Sequence, residues 1–412
     1  MNPVPRVAFF TDSFQEVNGV AHTSRHFEAF ARRRQLPFLT VHAGSVDSFT
    51  SDRNLATLQL RVSPFSIPLE TDMKFDLRFY RHSQTVLRRV REFGANLIHV
   101  TGPSHIGILG AITAHKLGIP IVASWHTNIH EYGARRLKGI LRWLPDSVTN
   151  SLAAAAEQDV LLNVLIRYYR LARVILAPNP ELVEMLRMRT GRPAFLMGRG
   201  IDTELFTPAK RRAPDHPLTI GYVGRLSTEK SVRVLRDVEQ ALFNSGAPPF
   251  RILIVGEGRE RRWLTEHLRH AEFTGVLKGE VLARAYADMD IFAFPSQTDT
   301  FGNVVQEAMA SGVPSVVTSE GGPRHVTIPG ITGLAASGVS DFSAAVVRLA
   351  TDPEMRQRLS LQCRAVALTR TWDDVFGDVY AAYAHCLAAA PAPQSTDTTF
   401  ITSPLGGANR RL

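Results

Sequence analysis

The first half of the chain alternates short apolar runs with longer segments in which apolar residues recur at helical spacing. Each run is five to seven residues long, which is typical of a strand buried on both faces of a parallel sheet. Helical segments between such strands predict repeated strand–helix–strand units, with helices on both faces of one sheet. The predicted strands are Arg6–Thr11, Phe38–His42, Leu97–Thr101, Ile119–Trp125 and Arg173–Ala177.

The second half repeats this pattern after residues 201–217, where Gly, Pro and charged residues cluster as they do in linkers. A chain of 412 residues also exceeds one ordinary domain. We therefore predict one α/β domain over residues 1–200 and a second over residues 218–371. Residues 372–389 are predicted to form a last helix, and residues 390–412, rich in Pro, Ser, Thr and Gly, to be disordered. The strands of the second half begin at Leu218, Ile252, Asp290 and Ser315.

Composition places the chain among folded globular proteins. Of its residues 44% are apolar and 21% charged, and no apolar run reaches the roughly 18 residues that a membrane-spanning helix needs. The two cysteines, Cys363 and Cys386, lie in helical sequence near the C-terminus, which excludes a disulfide scaffold and fits a reducing compartment. The sequence enters its first strand without a basic-then-apolar leader, so we expect a cytoplasmic protein.

The net charge of +9 is concentrated in the first half, where residues 1–200 contain 25 lysines and arginines against 15 acidic residues. A basic half favours an anionic partner such as an acidic lipid, a phosphorylated acceptor or nucleic acid. Nothing resembles an RNA- or DNA-binding motif, so no nucleic-acid partner is expected. Residues 132–145 are basic with an apolar complement, which fits either a segment resting on an anionic membrane surface or an ordinary surface helix.

The candidate chemistry follows the apolar run that ends at Phe294. Asp299 lies in a polar loop, and Glu307 lies eight positions later, two turns into a predicted helix that Asn303 is expected to cap. Unpaired backbone N–H groups at such a helix start suit an anionic ligand. A phosphate on these amides, with carboxylates on either side to accept from hydroxyls, is the pattern expected for a sugar nucleotide. The amides belong to Thr300, Phe301 and Gly302.

Arg225 and Lys230 lie just past another strand end, close enough in sequence to converge on one diphosphate. Arg can bind phosphate oxygens in a fork, and Lys acts as a point charge. The spacing is not that of a Walker A loop. The glycine turn at residues 256–258 lacks a third glycine, because Arg261 stands there, and this disfavours an NAD-dependent dehydrogenase. The acidic string at residues 288–290 fits helix capping better than metal binding.

These segments resemble the retaining glycosyltransferases of family 4, in the family's order and over residues 5–388. Asp299 and Glu307 match the family's carboxylate-x7-carboxylate motif, and residues 224–230 match its Gly-Arg-Leu-x-x-Glu-Lys phosphate clamp. Residues 124–128 match its Ser-aromatic-His-Thr-Asn string. The resemblance implies a GT-B fold, in which two Rossmann-like domains face each other across a cleft and the last helix packs back on the first domain.

The resemblance also implies roles for single residues. In the family the loop acid faces the donor sugar, the helix acid binds the ribose hydroxyls, and the His lies beside the sugar. Catalytic roles are therefore implied for Asp299, Glu307 and His126, with His126 positioning the donor by hydrogen bonds and not acting as a general base. The implied donor-binding residues are Gly19, Arg225, Lys230, Val276, Leu277, Thr300, Phe301, Gly302, Asn303 and Glu307.

The activity implied is transfer of a hexose from a nucleoside diphosphate sugar, with retention of anomeric configuration and without a metal ion or other cofactor. A donor phosphate oxygen would take the acceptor's proton. Asp299 stands where most members have Glu, as in a subgroup that acts on lipids and mannosides, so GDP-mannose and a lipid or glycan acceptor are favoured. The alternatives are a UDP-sugar-dependent glycolipid synthase, a sugar-nucleotide epimerase and a non-catalytic nucleotide-sugar-binding protein.

If the basic first half contacts a membrane, the purified protein should bind vesicles that contain anionic lipid. Because this attraction is electrostatic, the bound fraction in a sedimentation assay should fall as salt is added. Zwitterionic vesicles are the control. Binding that does not respond to salt would contradict this interpretation.

Overall fold

A computed structural model of the chain describes residues 4–11, 13–16, 19–68, 74–126, 162–212 and 217–388. Its first ten strands are β1 (Val7–Thr11), β2 (Phe38–Gly44), β3 (Ser48–Asp52), β4 (Leu55–Arg61), β5 (Ser66–Pro68), β6 (Lys74–Asp76), β7 (Leu97–Val100), β8 (Ile121–Ser124), β9 (Val174–Ala177) and β10 (Ala194–Leu196). Eight of them form one sheet in the order β10-β9-β8-β7-β1-β2-β4-β3. Neighbours pair in parallel except in the edge hairpin β3–β4, and β5 and β6 form a separate antiparallel pair.

The second sheet contains the remaining strands, which are β11 (Leu218–Val223), β12 (Phe250–Val255), β13 (Ala271–Gly275), β14 (Ile291–Phe294), β15 (Ser315–Thr318) and β16 (Gly333–Ala336). Their order is β13-β12-β11-β14-β15-β16, and every pair is parallel. The direction of strand addition reverses between β11 and β14, and open α/β sheets bind ligands outside the carboxyl ends of the strands at such a point. The predicted α/β architecture with two Rossmann-like sheets is confirmed.

Helices connect the strands, and short sequence signals set their ends. Asn179 accepts a hydrogen bond from the Leu182 amide at 2.9 Å and is followed by Pro180, which favours the first helical position. Gly191 ends that helix in the left-handed conformation that glycine adopts readily. The helices are Gly19–Arg33, Ser83–Phe93, His105–Leu117, 162–169, Pro180–Thr190, Val234–Asn244, Arg261–His267, Gly279–Ala287, Asn303–Ala310, Pro323–Val326, Gly338–Thr351, Pro353–Ala367 and Trp372–Ala388.

The C-terminal helix, Trp372–Ala388, packs on the first sheet although the helix before it belongs to the second domain. The ring of Phe376 stacks on that of Phe27, with centroids 4.4 Å apart. Tyr383 is fully buried in the same cluster. At the start of the helix, Asp373 pairs with Arg33 at 2.5 Å. The chain therefore passes from the first domain to the second and then returns to the first, where the C-terminal helix is buried against the first sheet.

The edge hairpin β3–β4 and the antiparallel pair β5–β6 are not among the sequence predictions. All five residues of β3 are exposed, so this edge strand has no apolar run to reveal it. The segment 132–145, interpreted as a membrane-surface or surface helix, and the tail 390–412 lie outside the described residues. Within the described ranges, no helix is both long and apolar enough to cross a bilayer.

Candidate active site

The loops that follow β11 and β14 meet where the strand order of the second sheet reverses. Lys230 Nζ lies 2.7 Å from Asp299 Oδ1, and the Ser296 hydroxyl donates to Asp299 Oδ2 at 2.6 Å. The pair is largely buried, with 12% of the Lys230 side chain and 26% of the Asp299 side chain exposed. A predicted donor-binding residue, Lys230, and a predicted catalytic residue, Asp299, are thus in direct contact although they lie far apart in the sequence. A cation and an acid side by side can bind a phosphate and a sugar hydroxyl, respectively.

Arg225 lies in the same loop as Lys230 but points to solvent. Its guanidinium is 3.5 Å from the carboxylate of Glu229, and 54% of its side chain is exposed. Its carbonyl accepts from the hydroxyl of Tyr222 at 3.0 Å, which fixes the main chain at the end of β11. Among the described contacts none joins Arg225 to Lys230 or Asp299, so convergence of the two cations on one diphosphate stays a prediction.

Glu307 lies in the second turn of the helix Asn303–Ala310, here called the site helix. The Tyr286 hydroxyl donates to Glu307 Oε2 at 2.8 Å. Burial raises the pKa of Glu307 to about 7, although the hydrogen bond from Tyr286 acts in the opposite direction. Burial and the neighbouring carboxyl also hold the pKa of Tyr286 well above its ordinary value, so this hydroxyl keeps its proton. Glu307 therefore exchanges a proton near neutral pH, and its ionised form can accept from hydroxyls.

The site helix does not start as predicted. Gly302, and not Asn303, is the N-cap, in a left-handed conformation with φ of 97° that favours glycine. Asn303 is the first helical residue, and its Oδ1 is buried without a hydrogen-bond partner among the described residues. A Cβ on Gly19 would lie 2.9 Å from Asn303 Nδ2, so glycine there allows the first domain to approach the helix start. Phe301 directly precedes the N-cap Gly302, and the centre of its ring lies 5.9 Å from the Arg199 guanidinium carbon.

Three hydrogen bonds join the site region to the first half of the chain. The Thr300 hydroxyl donates to the His126 carbonyl at 3.0 Å, and Asn179 Nδ2 donates to the Thr300 carbonyl at 2.8 Å. Gln306, in the site helix, donates to the Arg199 carbonyl at 2.9 Å. The loop with Thr300 therefore faces the carboxyl end of the first sheet directly, and the two domains meet at the predicted donor site.

The His126 side chain is buried and engaged at both ring nitrogens. Nδ1 lies 2.7 Å from a guanidinium nitrogen of Arg199, and Nε2 lies 2.7 Å from the Ser124 hydroxyl. The Ser124 hydroxyl lies 2.9 Å from His99 Nε2, and His99 Nδ1 lies 2.5 Å from the Tyr383 hydroxyl. A hydrogen-bonded chain thus runs from the domain boundary through the first sheet to the C-terminal helix.

The charge of Arg199 sets the direction of this chain. Burial lowers the pKa of Arg199 to about 10, so the guanidinium stays charged and can only donate. Burial, the Arg199 charge and His99 hold the pKa of His126 well below its ordinary value. His126 is therefore neutral, accepts at Nδ1 and donates from Nε2 to Ser124. This arrangement leaves no ring nitrogen for general base catalysis and fits a positioning role, which stays a prediction.

Val276 and Leu277, the predicted contacts of the nucleotide base, follow β13. Val276 is 60% exposed, while Leu277 packs against the core of the second domain. The loops after β11, β12 and β13 lie side by side. The Gly256 amide donates to the Gly275 carbonyl at 2.8 Å, and a Cβ on Gly256 would lie 1.9 Å from the Gly224 oxygen. The glycine turn after β12 thus permits close packing of these loops, and the base contact stays a prediction.

Asp288, the first residue of the acidic string at residues 288–290, is the C-cap of the preceding helix Gly279–Ala287, as predicted, and the string also contacts the linker. Asp288 accepts from the Arg212 amide at 3.0 Å. Asp290 accepts from the Thr219 amide at 2.8 Å and pairs with Arg211 at 2.5 Å. Across the residues that the structure describes, no three His, Cys, Asp or Glu side chains gather in a way that could hold a metal ion. That no metal takes part remains a prediction.

Comparison with known proteins decides the family. The family model of glycosyl transferases group 1 matches residues 217–352, and that of glycosyltransferase family 4 matches residues 39–205. A GDP-mannose-dependent alpha-mannosyltransferase of Mycobacterium tuberculosis is 30% identical over 392 residues, which cover 92% of this chain and 96% of the relative. The chain belongs to glycosyltransferase family 4. It is therefore a transferase, of the hexosyltransferase class.

Further relatives agree with this assignment. A GDP-mannose-dependent alpha-mannosyltransferase of Corynebacterium glutamicum is 28% identical, over 93% of this chain and 89% of the relative. Sucrose-phosphate synthase of Thermosynechococcus elongatus has a TM-score of 0.68 at 18% identity, over 94% of this chain and 100% of that one. The HepE protein of Anabaena, solved in complex with UDP-glucose, has a TM-score of 0.62 at 15% identity, over 92% of this chain and 99% of that one. The GT-B fold is confirmed.

The residues that hold the predicted family 4 site in place are not among the predicted site residues. They contact it from other elements, and most have no local pattern that marks them. Arg199 has a weak signal, because it stands between two glycines just before the predicted linker at residues 201–217. Ser124 is part of the string at residues 124–128 that contains His126, but the string predicts a role only for His126. The missed residues are His99, Ser124, Asn179, Arg199, Tyr286, Ser296, Gln306 and Tyr383.

Removing either the cation or the helix acid should abolish turnover without unfolding the protein. We expect Lys230→Ala and Glu307→Ala to lower kcat by at least about a hundredfold, because preorganised charge is usually the largest catalytic contribution. Lys116→Ala, at an exposed position in the first domain, is the matched control. Steady-state transfer kinetics with circular dichroism would measure both effects. Near-normal transfer by either site variant would contradict the assignment.

Glu307 should also make stability depend on pH. Since its pKa in the folded protein is raised to about 7, the unfolded chain releases this proton first, and stability falls as the pH rises from about 4.5 to about 7. A shift of this size lowers the free energy of unfolding by an amount on the order of 3 kcal/mol between acid and neutral pH. We expect Glu307→Gln to remove this loss, so that urea unfolding shows the variant to be more stable than wild type above neutral pH but not in acid.

The control for this pH dependence is Glu204→Gln, which changes an exposed glutamate and should leave the profile unaltered. Parallel pH profiles for wild type and Glu307→Gln would show that Glu307 ionises as an ordinary exposed acid does.

Proposed function

We propose that this enzyme transfers mannose from GDP-mannose to a lipid or glycan acceptor with retention of configuration. The observation that supports this most is its similarity, over nearly its whole length, to two proteins named GDP-mannose-dependent alpha-mannosyltransferase. Asp299, in place of the Glu of most family members, supports the same subgroup. A cytoplasmic location, and contact between the basic first half and an anionic membrane surface, are part of this proposal.

Lys230 is proposed to stabilise the departing diphosphate. Its ammonium is largely buried beside Asp299, where a fixed charge interacts more strongly than in bulk water. Arg225, exposed in the same loop, would bind outer phosphate oxygens when the donor enters. The amides of residues 300–302 would add donors at the start of the site helix. Positive charge fixed by the protein in this way would make a metal ion unnecessary.

The two acids would position the donor on either side of this charge. Asp299, held by Ser296 and Lys230, would accept from hydroxyls of the sugar. Glu307, oriented by Tyr286, would accept from the ribose. Glu307 can fill this role only when it is ionised. Because its pKa is raised to about 7, donor binding should strengthen as the pH rises through neutrality and Glu307 loses its proton.

The proposed step breaks the bond between the anomeric carbon and the phosphate oxygen. A bond from the same carbon to the acceptor oxygen forms on the same face. The acceptor proton passes to a phosphate oxygen of the departing GDP, so no protein base is required. His126 supports this assignment, because its neutral ring is engaged at both nitrogens. Its carbonyl, held by Thr300, would orient the sugar side of the cleft.

A UDP-sugar donor is the alternative within the same activity. It is suggested by the similarity in fold to a protein solved with UDP-glucose. The phosphate-binding groups fit it equally well, because they do not distinguish guanine from uracil. An epimerase or a non-catalytic nucleotide-sugar-binding protein would require no acceptor. Product analysis separates these alternatives.

The experiment is a binding and turnover screen of the purified protein with GDP-mannose, GDP-glucose, UDP-glucose and UDP-galactose. We expect GDP-mannose to bind most tightly by calorimetry. A donor at about a hundredfold excess over its Kd should stabilise the protein by about 2.7 kcal/mol. With a polyprenyl phosphate or diacylglycerol-linked acceptor, the product should contain an α-mannosyl linkage by NMR, and EDTA should not change the rate.

Binding of UDP-sugars without binding of GDP-sugars would overturn the proposed donor. A changed sugar in the absence of acceptor would indicate an epimerase. Activity that requires added Mn²⁺ would contradict the metal-free mechanism. The Lys230→Ala variant is the control for binding, because it should weaken the binding of GDP-sugars and UDP-sugars alike.

A further inference from the structure

The start of the helix Pro180–Thr190, in the first domain, touches the predicted donor site through one side chain. Asn179 is 4% exposed. Its Oδ1 accepts from the Leu182 amide at 2.9 Å, and its Nδ2 donates to the Thr300 carbonyl at 2.8 Å. One side-chain amide therefore caps a helix of the first domain and binds the main chain of the second.

Thr300 is held by the first domain at its other polar group as well. Its hydroxyl donates to the His126 carbonyl at 3.0 Å. Thr300 directly follows Asp299, whose carboxylate contacts Lys230 and whose carbonyl accepts from the Gly322 amide at 2.6 Å. The main chain at this acid is thus fixed on one side by the second domain and on the other by the first.

A second contact between the domains lies on the same helix start. Arg324 pairs with Glu181 at 2.5 Å, and His325 Nε2 lies 3.5 Å from the same carboxylate. The Glu181 side chain is 62% exposed, and exposed pairs contribute little and are screened by salt. The hydrogen bond of Asn179, a residue that is 4% exposed, is therefore the more specific of the two contacts, because a largely buried amide left without its partner is costly.

We propose that Asn179 is a positioning residue that couples closure of the cleft to the geometry of the Asp299 loop. When the domains close, its amide holds Thr300, and Asp299 is held beside Lys230. When they separate, Thr300 loses the hydrogen bond from Asn179 and the one to the His126 carbonyl, and the loop is released. Asn179 acts through Thr300 and Asp299, so its loss affects turnover in the closed complex more than donor capture.

The test is Asn179→Ser, which separates the two functions of the amide. A serine hydroxyl caps helices about as well as asparagine but is too short to reach the Thr300 carbonyl. We expect the melting temperature to stay near that of wild type and kcat to fall about tenfold, as loss of one buried hydrogen bond predicts. KM for the donor should change less than about threefold. Donor hydrolysis should rise relative to transfer, because an open cleft admits water.

Asp352 provides a matched control, because the hydrogen bonds described for it join only residues of the second domain. It caps the helix Pro353–Ala367 by accepting from the Met355 amide at 2.8 Å, and it too is followed by proline. Asp352→Ser should therefore report the effect of exchanging a cap without touching the cleft, and its kinetics should match wild type. Asn179→Ala, which removes both the cap and the domain contact, should lower stability in addition to kcat.

Two results would overturn the proposal. Wild-type kcat and hydrolysis in Asn179→Ser would assign the residue to helix capping alone. An equal kinetic loss in Asp352→Ser would show that the effect is general. The assays use both GDP-mannose and UDP-glucose, so failure of the proposed donor leaves this test intact. Small-angle scattering of the unliganded proteins gives a readout without any donor, since Asn179→Ser should have the larger radius of gyration and Asp352→Ser the wild-type value.

Discussion

The buried guanidinium of Arg199 is the constraint on which the site depends. A charge taken out of water is tolerated only when its donors are satisfied, and here they reach His126 and the carbonyls of Met197 and Gly198. The same residue offers its own carbonyl to Gln306 of the site helix. The buried charge of Arg199 thus fixes the tautomer of His126. The hydrogen bonds of the same residue also fix the main chain between the domains and the position of the helix that contains Glu307.

Much of the fold was predictable because its strands are continuous apolar runs. Ile291–Phe294 is buried at every position, so the run itself indicates a strand covered on both faces. The exposed edge strand β3 has no such run, since its pairing depends on β4 and not on burial. The site helix was placed correctly but its cap was not. Gly302 reaches the cap position through a left-handed turn, and this backbone choice outweighs the side-chain preference of Asn303.

The chemistry of the site was predictable as a set of residues but not as a set of contacts. Family motifs identified Asp299 and Glu307, whose roles remain predictions, and the strand order explains why their loop meets that of Lys230. The partners that tune them have no local signal. Tyr286 contacts Glu307 from another helix, and His99 meets a tyrosine 284 positions away. Such pairs exist only after tertiary packing, which single-sequence periodicity does not encode.

The C-terminal helix has a consequence for how the molecule is made. Phe27 lies near the beginning of the chain, yet its stacking partner Phe376 is synthesised near the end. During translation the first sheet therefore emerges with part of one apolar face uncovered, since the helix Gly19–Arg33 covers only the rest, and that part stays exposed while the whole second domain is produced. The nascent first domain cannot complete its core alone, so this enzyme finishes folding only as an entire chain, with an interval in which chaperones and aggregation compete for that face.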